Sequence, residues 1–168
     1  MLRESFKIWI LIILHTVGLI GLNSPYKELF FNLSAINLLI TAWLLLDNLG
    51  KKEIWFYAIV FLLSFAIEAI GVATRFPFGH YIYGHNLGPK IFDVPLVIGL
   101  NWVILLRAAL STCSNNYFLA AILMTTIDFF IEAKAPKLGY WFWHTKQIPM
   151  ANYIAWFVIA LIFGLAHH

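Results

Sequence analysis

Apolar residues fall into six long runs, each broken from the next by a polar or Gly/Pro-containing stretch. The runs lie near residues 6–22, 29–46, 54–73, 94–112, 116–134 and 149–166. Each approaches the roughly 20 residues that a helix needs to cross a bilayer. The pattern predicts an all-α fold: a polytopic membrane protein with six transmembrane helices in one bundle. No internal repeat, low-complexity tract or linker divides the chain, so residues 1–168 are expected to form a single integral-membrane domain. Arg3 and Lys7 flank the first run as in a signal peptide, but no small-x-small cleavage site follows. An uncleaved first helix is the expectation. The terminal His167 and His168 read as the stub of a tag and are given no role.

The connections at 23–28, 47–53 and 112–115 are short, whereas those at 74–93 and 135–148 are long. Long loops in a tight bundle are usually functional or disordered. These two are rich in Gly, Pro and aromatics and poor in Ser and Lys, which argues for order. In a six-span chain the first, third and fifth loops share a face. Both long loops therefore belong on the same side of the membrane.

Composition supports the class. Hydrophobic residues make up 62% of the chain and charged residues 11%, against about 25% charged in a soluble domain. The net charge of +3 is scattered and forms no patch, so no nucleic-acid role is expected. Arg3, Lys7, Lys51, Lys52 and Arg107 on one face balance Lys27, Arg75, Lys90, Lys134, Lys137 and Lys146 on the other, and orientation stays open. Cys113 stands alone and can form neither an intramolecular disulfide nor a thiolate cluster. There is no GxGxxG, P-loop, CxxC or HExxH motif, and His80 and His85 lack helical spacing. No metal site and no cofactor are predicted.

The candidate chemistry lies in three carboxylates within or at the ends of apolar runs: Glu68, Asp128 and Glu132. An ionisable side chain in lipid costs at least about 2.5 kcal/mol and is by default a functional-site hypothesis. Counted at 1.5 Å per residue, His15, Asn37, Glu68, Asn101, Asp128 and Asn152 fall within roughly 5–12 Å of the long-loop face. This shared depth predicts a polar layer lining one cavity that opens toward those loops. Asp128 and Glu132 are spaced i, i+4 and share a helix face. Two carboxylates so close in a poorly solvated site resist ionising together, so one keeps a proton. Arg75 and Lys134 are candidate counter-charges. A buried ion-pair network that sets helix register is the alternative. The run Tyr140-Trp141-Phe142-Trp143 fits either an interfacial belt or the wall of a cavity for a polyene or a cation.

The stretch Glu68-Ala-Ile-Gly71-Val-Ala-Thr74 followed by Pro77-Phe-Gly79-His-Tyr81-Ile-Tyr83 resembles the E-x-x-G-x-x-T-G-x-P-F-G-x-Y-x-Y segment of the carotenoid end-group hydratase family. Leu87-Gly88-Pro89, Val94-Pro95-Leu96 and Asn101-Trp102 are similar to its L-G-P and V-P-L-x-I-x-x-x-W patterns. Asp128-Phe-Phe-Ile-Glu132, Gly139-Tyr-Trp141-Phe-Trp143 and Pro149-Met-Ala-Asn152-Tyr-Ile-Ala-Trp156 resemble its remaining motifs. Arg75, Ala133 and Ala155 stand where the family commonly has Gly, Pro and Gly.

The resemblance implies cofactor-independent hydration of a terminal double bond in an acyclic, lycopene-like carotenoid, in the lipid bilayer of a prokaryotic plasma membrane. A protonated carboxylic acid would deliver the proton and a second carboxylate would orient and deprotonate water. Asp128 or Glu132 is the expected acid with Glu68 orienting water, or the reverse. Arg75, Tyr81, Tyr83, Asn101, Trp102, Trp141, Trp143, Asn152 and Tyr153 are the expected substrate-binding residues. Trp102, Trp141, Trp143 or Tyr153 would stabilise a carbocation through their π faces. A pigment-binding or assembly protein without catalysis and a small proton-coupled transporter are the other readings.

Overall fold

Six helices form where the apolar runs predict them: α1 (Glu4–Leu22), α2 (Lys27–Leu46), α3 (Lys51–Thr74), α4 (Val97–Thr112), α5 (Tyr117–Glu132) and α6 (Met150–Ala166). The computed structural model describes residues 4–145 and 147–167, with Asn32 described by its backbone alone. Arg3, Lys146 and His168, singled out above, lie outside the described residues.

Local chemistry sets several helix ends. Glu53 reaches back to accept from the Gly50 N–H at 3.2 Å at the start of α3. Asn116 caps α5 by accepting from the Leu119 N–H at 3.0 Å. Arg75 closes α3 in the left-handed region at φ 68°. Near its start α1 is tied to the end of α2 by Lys7, whose Nζ lies 3.0 Å from both Glu4 and Asp47 carboxylate oxygens.

α4 is the hub and packs against α2, α3, α5 and α6, while α1 packs on α2. The interior is filled by Tyr57, Val60, Trp102, Leu106, Leu110 and Met124. Outward faces stay apolar: Trp55, Leu19, Phe130 and Leu62 are all more than 60% exposed. Exposed apolar surface on this scale marks a face that meets something other than water. α1 and α3 are long and apolar enough to cross a membrane, and α4, α6 and the Leu33–Leu46 part of α2 are shorter apolar helices. Together these features point to a membrane protein.

The all-α expectation needs amendment at the two long loops. Their aromatic segments are strands: β1 (Tyr81–Tyr83) pairs antiparallel with β4 (Trp141–Trp143). A second ribbon joins β2 (Lys90–Ile91) to β3 (Val94–Pro95). The predicted fourth run began at residue 94, but Val94 and Pro95 pair with Ile91 and Lys90 and the helix starts at Val97. The fifth run ends early too, because Ala135–Leu138 forms a 3-10 turn with Pro136 in it. The β1–β4 ribbon places both long loops at one end of the bundle, as loop parity requires.

Candidate active site

Strand alternation puts successive side chains on opposite faces of the β1–β4 ribbon. Tyr81 and Tyr83 point inward and are buried, while Ile82 between them is exposed. Trp141 and Trp143 point the same way, and Phe142 faces out. Four aromatic rings with polar tips thus face the helix ends that carry the acids.

Each acid meets a distinct set of donors. Glu68 on α3 accepts from Tyr81 Oη at 2.5 Å and Tyr83 Oη at 2.9 Å on Oε2, and from Trp102 Nε1 at 3.0 Å on Oε1. Glu132 at the end of α5 accepts on Oε2 from Trp143 Nε1 at 2.7 Å and Trp141 Nε1 at 3.0 Å. Asp128, one turn earlier, accepts from Asn152 Nδ2 at 2.9 Å on Oδ2. The same Asn152 nitrogen lies 3.5 Å from Glu132 Oε1, so one α6 amide bridges the two acids of α5. Among the described residues Asp128 Oδ1 takes no protein hydrogen bond. Glu68, Asp128, Glu132 and Asn152 are each 4% exposed or less, so bulk water does not solvate them.

Burial, and then the Glu68 carboxylate, push the Tyr81 and Tyr83 phenols far above the ordinary tyrosine range. Both rings therefore stay protonated and act as donors.

Gly71 explains the spacing of the E-x-x-G segment. It lies nearly one turn beyond Glu68, and a Cβ there would sit 2.7 Å from Phe78 Cδ2 and 3.2 Å from Tyr81 Oη. Only a glycine lets the returning loop press Phe78 and Tyr81 against α3.

The three acids, Tyr81, Tyr83, Asn101, Trp141, Trp143 and Asn152 all line one cavity of about 30 Å³, closed by Phe78, Ile98 and Trp156. One water needs roughly 10–15 Å³ of such space. The cavity therefore holds about two waters and no isoprenoid end group. A second, mainly apolar cavity of about 480 Å³ adjoins it, with Ile98, Asn101 and Trp141 in both walls.

Several sequence-predicted residues lie elsewhere. Trp102 lines neither cavity; it is buried behind Trp156, stacked on it at 3.9 Å, and serves Glu68 as a donor. Arg75 is exposed at its helix cap, lines neither cavity and makes no ion pair with the acids among the described residues. Tyr153 packs on Phe129 at 5.6 Å outside both cavities. Lys134 lines the larger cavity and does not neutralise the acids. The expected single polar layer is split: Glu68, Asn101, Asp128 and Asn152 surround the small cavity, whereas His15, Asn37 and Asn101 surround the large one. Sequence reasoning passed over Trp156, although its i, i+4 spacing from Asn152 places both on one face of α6. Phe78 and Ile98 fall within the P-F-G and V-P-L-x-I motifs but were not singled out as site residues. Among the described residues no group of three or more His, Cys, Asp or Glu is arranged to hold a metal ion.

Comparison with known proteins bears on this arrangement. No solved structure matches the chain. Bisanhydrobacterioruberin hydratase of Haloarcula japonica is 31% identical over 112 residues, covering 56% of this chain and 38% of that protein. The chain thus spans well under half of that relative's length. The family described as carotenoid biosynthesis protein matches residues 28–168, which include all three buried acids and both strands of the aromatic ribbon. The chain belongs to this carotenoid biosynthesis family.

Proposed function

We propose that this protein is a six-span membrane enzyme that adds water to a terminal double bond of an acyclic carotenoid. The observation that carries the reading is the small cavity: three buried carboxylates, from α3 and α5, around room for water alone. The similarity to a hydratase supports the reaction class.

Hydrogen bonding distributes the roles. Glu68 is occupied as an acceptor by three donors and anchors the ribbon. Asp128 has Oδ1 left over for a proton, and Glu132 Oε1 meets only the long 3.5 Å contact from Asn152. Asp128 then passes its proton through one cavity water to the less substituted alkene carbon held at the wall the two cavities share, leaving a tertiary carbocation. The second water attacks the tertiary cationic carbon, and Glu132 Oε1 takes the proton the water sheds. Transfer between the two α5 acids, bridged by Asn152, restores the starting state. Carbon gains one proton and one hydroxyl, and no oxidant is consumed. The face of Trp141, which walls both cavities, stabilises the cation.

The test is pigment analysis in a lycopene-producing host. The parent chain should yield a hydroxylated product, and Asp128→Asn and Glu132→Gln should abolish it while the protein stays folded. Product made in heavy-oxygen water should carry the label. A label drawn from molecular oxygen, or full activity in both amide variants, would overturn the mechanism.

A further inference from the structure

We infer that the 480 Å³ cavity is the binding site for the apolar chain of the polyene, which it receives sideways from the bilayer and delivers end-on to the acids. This rests on the hydration reading of the smaller cavity. The volumes separate the two sites. The acid-lined cavity takes water only, while about 480 Å³ falls within the roughly 300–1,000 Å³ of small-molecule sites.

Continuity sets the direction. Ile98, Asn101 and Trp141 wall both cavities, so a chain filling the larger one ends against them with the carboxylates behind. The Asn101 amide makes no protein hydrogen bond among the described residues and is free to meet the attacking water. Only a chain terminus reaches that wall, which makes the site selective for end groups.

Access follows from exposure. Leu19 on α1 and Phe130 on α5 both line the larger cavity, yet each is 66% exposed. The cavity therefore opens between α1 and α5, on the apolar flank. A substrate dissolved in lipid passes through that opening without crossing water. α1 also lies outside the matched residues 28–168, so one wall comes from beyond the family segment.

The full chain in lipid nanodiscs should be titrated with lycopene and followed by tryptophan quenching and by the visible absorption shift. Ile127→Trp and Leu38→Trp, which fill the cavity, should weaken binding at least about tenfold and lower product in step. Ile70→Trp on the exposed face of α3 should change neither. Asp128→Asn should bind as the parent does and make no product. If it retains activity while the filling variants lose binding, the hydration mechanism fails and the cavity assignment stands. Unchanged binding in the filling variants overturns the assignment. So does equal competition by a saturated acyl chain, which would make the cavity a lipid site. If the filling variants unfold, a diazirine-bearing acyclic isoprenoid applied to the parent decides: labels on α1 and α5 support the assignment, and labels confined to the outer face of α3 overturn it.

Discussion

Tyr81 and Trp143 stand opposite each other across the β1–β4 ribbon, ring centroids 5.1 Å apart, and each donates to a different acid. Tyr81 serves Glu68 on α3 and Trp143 serves Glu132 on α5. The ribbon therefore links two carboxylates that belong to different helices. Trp143→Phe should remove the 2.7 Å bond to Glu132, and a hydrogen bond to a charged group contributes about 1.5–3 kcal/mol. Product formation should fall roughly ten- to hundredfold, while Phe142→Leu on the outer face leaves it unchanged. Pigment conversion at matched protein levels gives the comparison.

Gly71→Ala should lower both the melting temperature and the activity. The new methyl group would meet Phe78 Cδ2 at 2.7 Å, and overpacking of this kind costs about 1–3 kcal/mol. Pairing it with Phe78→Leu should recover part of the loss. A single variant that melts like the parent would show that the loop does not depend on this close approach.

Alkaline stability provides a third test. Burial and the Glu68 carboxylate raise the Tyr81 and Tyr83 phenols. In the unfolded chain both would ionise near the ordinary value of about 10. Their contribution is thus complete below pH ~10 and declines as pH rises past it, because the unfolded chain then releases protons that the fold retains. Tyr81→Phe/Tyr83→Phe should start less stable, having lost two bonds to Glu68, but its melting temperature should fall less steeply from pH 9 to 11.5. Parallel slopes would contradict the assignment.

Arg75→Gly should raise the melting temperature and leave product formation unchanged. Arg75 holds a left-handed cap at φ 68°, where glycine avoids a Cβ penalty of about 1 kcal/mol. Its side chain lines neither cavity. Lost activity at normal stability would place Arg75 in the site after all.

The helices were legible because run length and hydropathy report them directly, residue by residue. Glu68, Asp128 and Glu132 were legible because charge inside an apolar run is costly wherever the helix points. What the acids touch was not. Tyr81 and Trp143 are brought together by strand pairing between two loops, and no local pattern announces such a long-range register. Counting residues along a helix also gives depth without rotation. For that reason His15 and Asn37 were grouped with the acids but line the neighbouring cavity. Trp102 was placed in the cavity wall and Trp156 passed over for a related reason: the two rings stack, and only the packing shows that Trp156 lines the cavity while Trp102 sits behind it.

The ribbon has a further consequence during synthesis. A nascent chain that has released α5 but not residues 141–143 holds Glu68, Asp128 and Glu132 without the indoles and the α6 amide that orient the α5 acids. Chains emerge N-terminal end first, so the set of donors around the acids is completed only when residues 141–152 dock. A partly inserted chain therefore carries carboxylates that lack the partners fixing their geometry.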